Sequence, residues 1–130
     1  MSEPSYLFDT GALIDIYRGR PRIRLFFDDL LSEAVTAYIS PVSEAELWFG
    51  LRPGEQEQHE ALLNFFIALP VTSKAGRLAG QWMQRYGSRG LGWMDALIVA
   101  SASLAGVPVL TRDRRLAEVL AEEAKFELYN

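Results

Sequence analysis

Short apolar runs alternate with amphipathic stretches of helical length from one end of the chain to the other, and this alternation constrains the fold more than any other feature. Tyr6-Leu7-Phe8, Val35 to Ile39, Leu69 to Thr72, Val107 to Thr111 and Phe126 to Tyr129 read as strands. Between them lie helical stretches. Ala12, Leu13, Ile16 and Tyr17 form one apolar stripe, and Ile23, Phe26, Phe27, Leu30 and Leu31 form another over Arg22 to Ser32. Further helices are expected from Ser43 to Gly50, Glu55 to Ile67, Ser73 to Tyr86, Trp93 to Leu104 and Arg114 to Ala124. Strands alternating with helices predict an α/β fold, with helices covering both faces of a central, mainly parallel sheet of four to five strands. The chain has no repeat, low-complexity tract or linker, so residues 1–130 read as a single domain.

In such a sheet the C-terminal ends of the strands and the N-termini of the following helices share one edge, where ligands bind. Asp9, Glu46, Asp95 and Asp113 all fall at strand-to-helix transitions or in first helical turns. Each also has an ordinary explanation. Asp9 and Asp113 fit helix N-caps, Asp95 suits the positive end of a helix dipole, and Ser43-Glu44-Ala45-Glu46 fits a capping box. Taken together they place up to four carboxylates on one edge with no lysine among them. Converging carboxylates repel unless a cation compensates them or a proton stays on one of them. The chain has no Cys and a single His, His59, which excludes thiolate sites and a zinc site built mainly from imidazole. An oxygen-lined site favours Mg²⁺ or Mn²⁺, which would make water an effective nucleophile. Asp15 and Glu44 are alternatives for supporting roles, with Asp15 expected in solvent.

The formal net charge of −4 argues against indiscriminate nucleic-acid binding, but the basic residues are unevenly spread. Arg18, Arg20, Arg22 and Arg24 cluster in one stretch, and Arg112, Arg114 and Arg115 surround Asp113. Arginine suits bidentate phosphate contacts. Trp93, two residues before Asp95, is placed to stack on an unpaired base. Trp48, Trp82 and the pairs Phe26/Phe27 and Phe65/Phe66 are expected in the core, and His59 in solvent. No apolar run is long enough to span a bilayer and the N-terminus lacks a signal pattern, so a soluble cytoplasmic protein is the expectation.

Four blocks of this sequence resemble the motifs of PIN-domain ribonucleases. Tyr6-Leu7-Phe8-Asp9-Thr10 is similar to the family's opening strand-Asp-Thr block. Ser43-Glu44-Ala45-Glu46-Leu47-Trp48-Phe49-Gly50 is similar to its second, in a register that selects Glu46 over Glu44. Met94-Asp95-Ala96-Leu97-Ile98 resembles the third, and Val109-Leu110-Thr111-Arg112-Asp113 the fourth. Length and block spacing resemble the VapC-like toxins of type II toxin–antitoxin pairs. The resemblance implies a three-layer α/β/α sandwich and Mg²⁺- or Mn²⁺-dependent cleavage of RNA. It also implies a homodimer and a small VapB-like antitoxin forming a higher assembly with it.

Asp9, Glu46, Asp95 and Asp113 are then the metal-binding and catalytic acids, supported by Thr10, Thr111 and Arg112. Arg18, Arg20, Arg22, Arg24, Arg114, Arg115 and Trp93 become candidate RNA contacts. Two positions depart from the family pattern: Gly11 stands where Asn or Ser is usual, and Leu116-Ala117 replace the Asp-Phe that commonly follows the fourth block. The alternative is a degenerate PIN domain that binds RNA or a protein partner without cutting. Asp9-Thr10-Gly11-Ala12 also matches the aspartic-protease signature, but the helical stripe that follows at once is foreign to those β-rich proteins. A phosphoacceptor receiver needs a lysine at a late strand end, and Lys74 and Lys125 are not so placed.

Overall fold

The computed structural model describes residues 3–130. Its five strands are β1 (Ser5–Phe8), β2 (Thr36–Ile39), β3 (Phe66–Ala68), β4 (Val109–Thr111) and β5 (Phe126–Leu128). The helices are α1 (Thr10–Tyr17), α2 (Arg24–Leu31), α3 (Pro41–Phe49), α4 (Gln56–Leu63), α5 (Ser73–Tyr86), α6 (Trp93–Ala105) and α7 (Arg114–Val119), with 3-10 turns at Pro21–Ile23 and Gly87–Arg89. All four strand pairings are parallel, and the order is β3-β2-β1-β4-β5. The chain steps outward from β1 through β2 to β3, then returns to the other side of β1 for β4 and β5. The order therefore reverses between β1 and β4, and the crevice at their C-terminal ends is where an open sheet of this kind accepts a ligand.

Side-chain alternation along each strand builds a core on both faces. Leu7 and Val109 pack with Ala75, Ala79 and Trp82 of α5 and with Ile98, Val99 and Ala102 of α6. Their neighbours Phe8 and Leu110 point the other way, to Ala12 and Leu13 of α1, Leu30 of α2, Leu47 of α3 and Tyr129. Phe8 meets Phe66 edge to face, with ring centroids 5.2 Å apart. Among the described residues, no helix is long and apolar enough to cross a membrane.

Several boundaries differ from the sequence expectation, each for a local reason. The third strand is Phe66–Ala68, not Leu69 to Thr72, because Phe66 finds its apolar partner in Phe8 and the segment pairs with Ala37–Ile39 of β2. Helix α4 accordingly ends at Leu63. The N-cap of helix α3 lies three residues earlier than the expected Ser43: Ser40 accepts a 3.1 Å bond from the Val42 amide, and Pro41 occupies the first helical position. The capping box over Ser43–Glu46 therefore does not form. Trp48 is half exposed and Phe49 almost wholly so, because α3 turns Ser43 and Leu47 inward. Phe65 is also exposed; Phe66 and Trp82 are buried as expected.

Candidate active site at the carboxyl edge of the sheet

Asp9 follows β1 directly and caps α1, its Oδ1 accepting a 2.8 Å bond from the Ala12 amide. The capping explanation thus holds, yet it engages a single oxygen of a carboxylate that is only 8% exposed. Burial pushes the Asp9 carboxyl up to about 6. The Thr111 hydroxyl and the Ala12 amide oppose that shift, while the charges of Asp95 and Asp113 add to it.

Glu46 has been released from helix capping and lies one turn into α3. The Thr10 hydroxyl donates to its Oε1 at 2.8 Å, and Thr10 Oγ1 lies 2.8 Å from Ser43 Oγ. A hydroxyl has one proton to give. Since that of Thr10 goes to Glu46, Ser43 donates to Thr10. This Ser43–Thr10–Glu46 relay ties the first turn of α1 to α3. Ser43 was missed as a site residue because its position in the sequence reads as a helix cap.

Asp95 sits half-buried in the first turn of α6, whose N-cap is Gly92. Its carboxyl is raised by burial, then by the charges of Asp113 and Glu46. Asp113 caps α7 by accepting a 3.0 Å bond from the Leu116 amide, and its own amide donates to Thr111 Oγ1 at 3.0 Å. The four acids therefore occupy one edge and act on one another electrostatically. As they stand, among the described residues no three acidic side chains converge closely enough to hold one ion together. None of the four is in a salt bridge among the described residues, so their charge is uncompensated by the protein. The donor set is entirely oxygen, partly desolvated and net negative, which fits a hard divalent cation.

The arginines divide. Arg18 lines a cleft with Thr10, Glu46, Tyr17, Arg52 and Glu55. Arg115 lines a small pocket with Asp95 and Asp113 and donates to the Arg89 carbonyl at 3.3 Å. Arg20 and Arg24 instead flank Phe27 and Asp28 in a separate depression, and Arg22 and Arg114 are exposed. Arg112 pairs with Asp15 and with none of the four acids, its Nε 3.5 Å from Asp15 Oδ2. Trp93 is half exposed in a shallow depression with Arg77, Gln81 and Met83.

Two sequence expectations are corrected. Asp15 is not solvated: it is 1% exposed and accepts a 2.8 Å bond from the Tyr129 hydroxyl besides its ion pair with Arg112. His59 is not in solvent either. It is buried between Tyr17, whose hydroxyl bonds its Nδ1, and the half-exposed Trp48 ring, with Nε2 unpartnered. Both contacts join residues far apart in sequence, and no local pattern announces them.

A parallel five-stranded sheet with four acids along the edge beside its reversal point defines an α/β domain whose ligand crevice is acidic. The chain belongs to the PIN domain family, whose model matches residues 6–121. It is 34% identical over 107 residues to ribonuclease VapC10 of Mycobacterium tuberculosis, covering 81% of this chain and 80% of that protein. Its structure is similar to FitAcB from Neisseria gonorrhoeae, with a TM-score of 0.74, 27% identity, and coverage of 94% and 96% of the two chains. VapBC2 from Rickettsia felis, bound to a DNA fragment from the VapBC2 promoter, shares the fold at a TM-score of 0.76 and 19% identity, over 97% of this chain and 99% of that one.

Proposed function

We propose that this chain is a divalent-metal-dependent endoribonuclease and the toxin of a toxin–antitoxin pair. The observation that carries the reading is Asp9: a buried, uncompensated carboxylate beside the sheet's reversal point, surrounded by further acids. The likeness to a protein named as a ribonuclease supports the activity. Resemblance in fold to toxin–antitoxin complexes supports the partner.

In this reading Asp9, Glu46 and Asp95 hold a Mg²⁺ or Mn²⁺ ion, and Asp113 completes its surroundings. Such a cation supplies Lewis-acid stabilisation of phosphoryl charge and lowers the pKa of water. The protein's own groups prepare the site. Thr111 restrains Asp113 by accepting its amide proton, at the end of the strand beside Asp9. Thr10, held by Ser43, fixes Glu46. Arg18 and Arg115 border the acids and neutralise RNA phosphates on either side of the cleaved bond. Trp93 stacks on an unpaired base. The antitoxin covers the cleft beside Glu46, where the exposed Trp48 and Phe49 of α3 offer it apolar surface, and the toxin forms a homodimer.

Incubating the purified protein with structured and single-stranded RNA tests the activity. Cleavage should appear with Mn²⁺, vanish with EDTA, and vanish in Asp9→Asn. A second reading, a PIN domain that binds without cutting, is favoured by the open spacing of the acids. RNA binding with no cleavage in Mn²⁺ would establish that reading in place of the first.

A further inference from the structure

The buried Asp15 carboxylate lies outside the four acids, yet it is bonded from two distant parts of the chain. Tyr129, just beyond β5 and 5% exposed, donates to its Oδ2 at 2.8 Å. Arg112, at the end of β4, approaches the same oxygen with Nε at 3.5 Å. The tyrosine ring is fixed by packing against Phe26, and its amide donates to the Thr111 carbonyl at 3.2 Å. The Arg112 side chain is 38% exposed, so the guanidinium bridges a buried anion and solvent. Among the described residues its terminal Nη groups have no protein acceptor, which leaves an edge of the guanidinium suited to bidentate contact with a phosphate.

Gly11 shows how close this arrangement stands to the acids. A Cβ placed there would lie 3.5 Å from Asp9 Oδ1 and 3.6 Å from Arg112 Nε. The two groups thus flank a single glycine, with no side chain between them. An arginine beside a buried, uncompensated carboxylate would be drawn into an ion pair with it. Such a pair would occupy Asp9 with an internal cation. Here Asp15 takes the arginine instead.

We propose that Asp15 and Tyr129 form a positioning pair that holds Arg112 beside Asp9 but off it, leaving Asp9 open to a divalent cation and the outer edge of Arg112 open to an RNA phosphate. Asp15 and Tyr129 are positioning residues, since neither touches substrate. The inference rests on the nuclease reading above for the identity of its ligands.

The test uses the full chain and two measurements, calorimetric titration with Mn²⁺ and binding of a fluorescein-labelled single-stranded RNA oligonucleotide in EDTA across a salt series. Asp15→Asn frees Arg112 to pair with Asp9, so its Mn²⁺ affinity should fall about tenfold, in the range found for residues that orient metal ligands. Adding Arg112→Gln to that variant should restore it, an outcome that a purely structural role for Asp15 does not produce. Tyr129→Phe keeps the ring packing and loses only the hydroxyl. It should show a smaller fall, again reversed by Arg112→Gln, and it serves if Asp15→Asn does not fold. Arg112→Gln alone should leave Mn²⁺ affinity undiminished and reduce the salt slope of RNA binding by about 0.7, the increment for one phosphate contact on a single strand.

Unchanged Mn²⁺ affinity in Asp15→Asn and Tyr129→Phe, or a fall that Arg112→Gln does not reverse, overturns the positioning role. An unchanged salt slope in Arg112→Gln overturns the phosphate contact. A wild-type chain that binds no Mn²⁺ defeats the nuclease reading and, with it, the protection of Asp9. The salt slope then still decides whether Arg112 meets a phosphate.

Discussion

Asp9 and Asp15 lie on either side of the first turn of α1, both are buried, and the protein treats them in opposite ways. Asp15 receives a tyrosine hydroxyl and an arginine. Asp9 receives one backbone amide, and the charges of Asp95 and Asp113 bear on it. Burying a carboxylate is costly unless hydrogen bonds and a counter-charge offset it. At Asp15 the fold supplies that charge, and the result joins α1 to the ends of β4 and β5. At Asp9 it withholds the charge, and the price is a carboxyl pushed up to about 6. The contrast separates an acid that holds structure together from one that the proposed function assigns to a cation. A buried acid is therefore not in itself a sign of function; a buried acid left without its cation is.

The widest gap between the two is expected in activity. Asp9→Asn should lower Mn²⁺-dependent RNA cleavage by more than ~100-fold, beyond the effect usual for residues that merely support metal ligands. Rate measurements on wild type and variant under saturating Mn²⁺ check this, and a loss of only a few-fold would place Asp9 among structural acids like Asp15.

The next effect is in the pH dependence of stability. The folded chain holds a proton on Asp9 more tightly than the unfolded chain does. Its contribution to stability is therefore fully present below the ordinary carboxyl value of 3.8 and is lost as pH rises through about 6. In metal-free protein the loss should be on the order of 3 kcal/mol. Asp9→Asn should remove this component, seen as the difference between variant and wild-type urea midpoints from acid to neutral pH. Saturating Mn²⁺ should oppose it, by about 2.7 kcal/mol at a hundredfold excess over Kd. A difference that does not change between pH 4 and pH 7 would show that Asp9 carries no such burden.

At Asp15 the expected loss is structural. Asp15→Ala leaves the Tyr129 hydroxyl buried without its acceptor, and should cost about 2 to 3 kcal/mol in urea unfolding at neutral pH. A neutral effect there would erase the structural half of the contrast. The smallest effect lies between the two acids. Gly11 sits in the first turn of α1 with ordinary contact room for a Cβ, so Gly11→Ala should stabilise by about 0.4 to 1 kcal/mol through the unfolded chain. Destabilisation instead would mean that the space shared by Asp9 and Arg112 is tighter than the distances imply.

Much of this was legible in the sequence because it is written locally. Apolar runs such as Tyr6-Leu7-Phe8 and Val109-Leu110-Thr111 announce strands, and the acids that follow them mark the sheet edge. The start of α3 was misread, because the Ser43–Glu46 spacing suggests a cap; Ser40 is the actual N-cap, and only that phase frees Glu46 to meet Thr10. The burial of Asp15 and His59 was not legible. The partner of Asp15 is 114 residues away and that of His59 is 42 residues away, and neither pairing leaves a periodic trace. Trp48 was misplaced for a related reason: an aromatic residue suggests core, but its helix turns Leu47 inward in its stead.

In the proposed function the edge carrying Asp9, Glu46, Asp95 and Asp113 holds a divalent cation that Asp9 helps to bind. Isothermal titration with Mn²⁺, run in parallel on wild type and Asp9→Asn, tests it most directly. The wild type should bind saturably, and the variant should lose most of that affinity. Equal binding to both, or binding to neither, contradicts it.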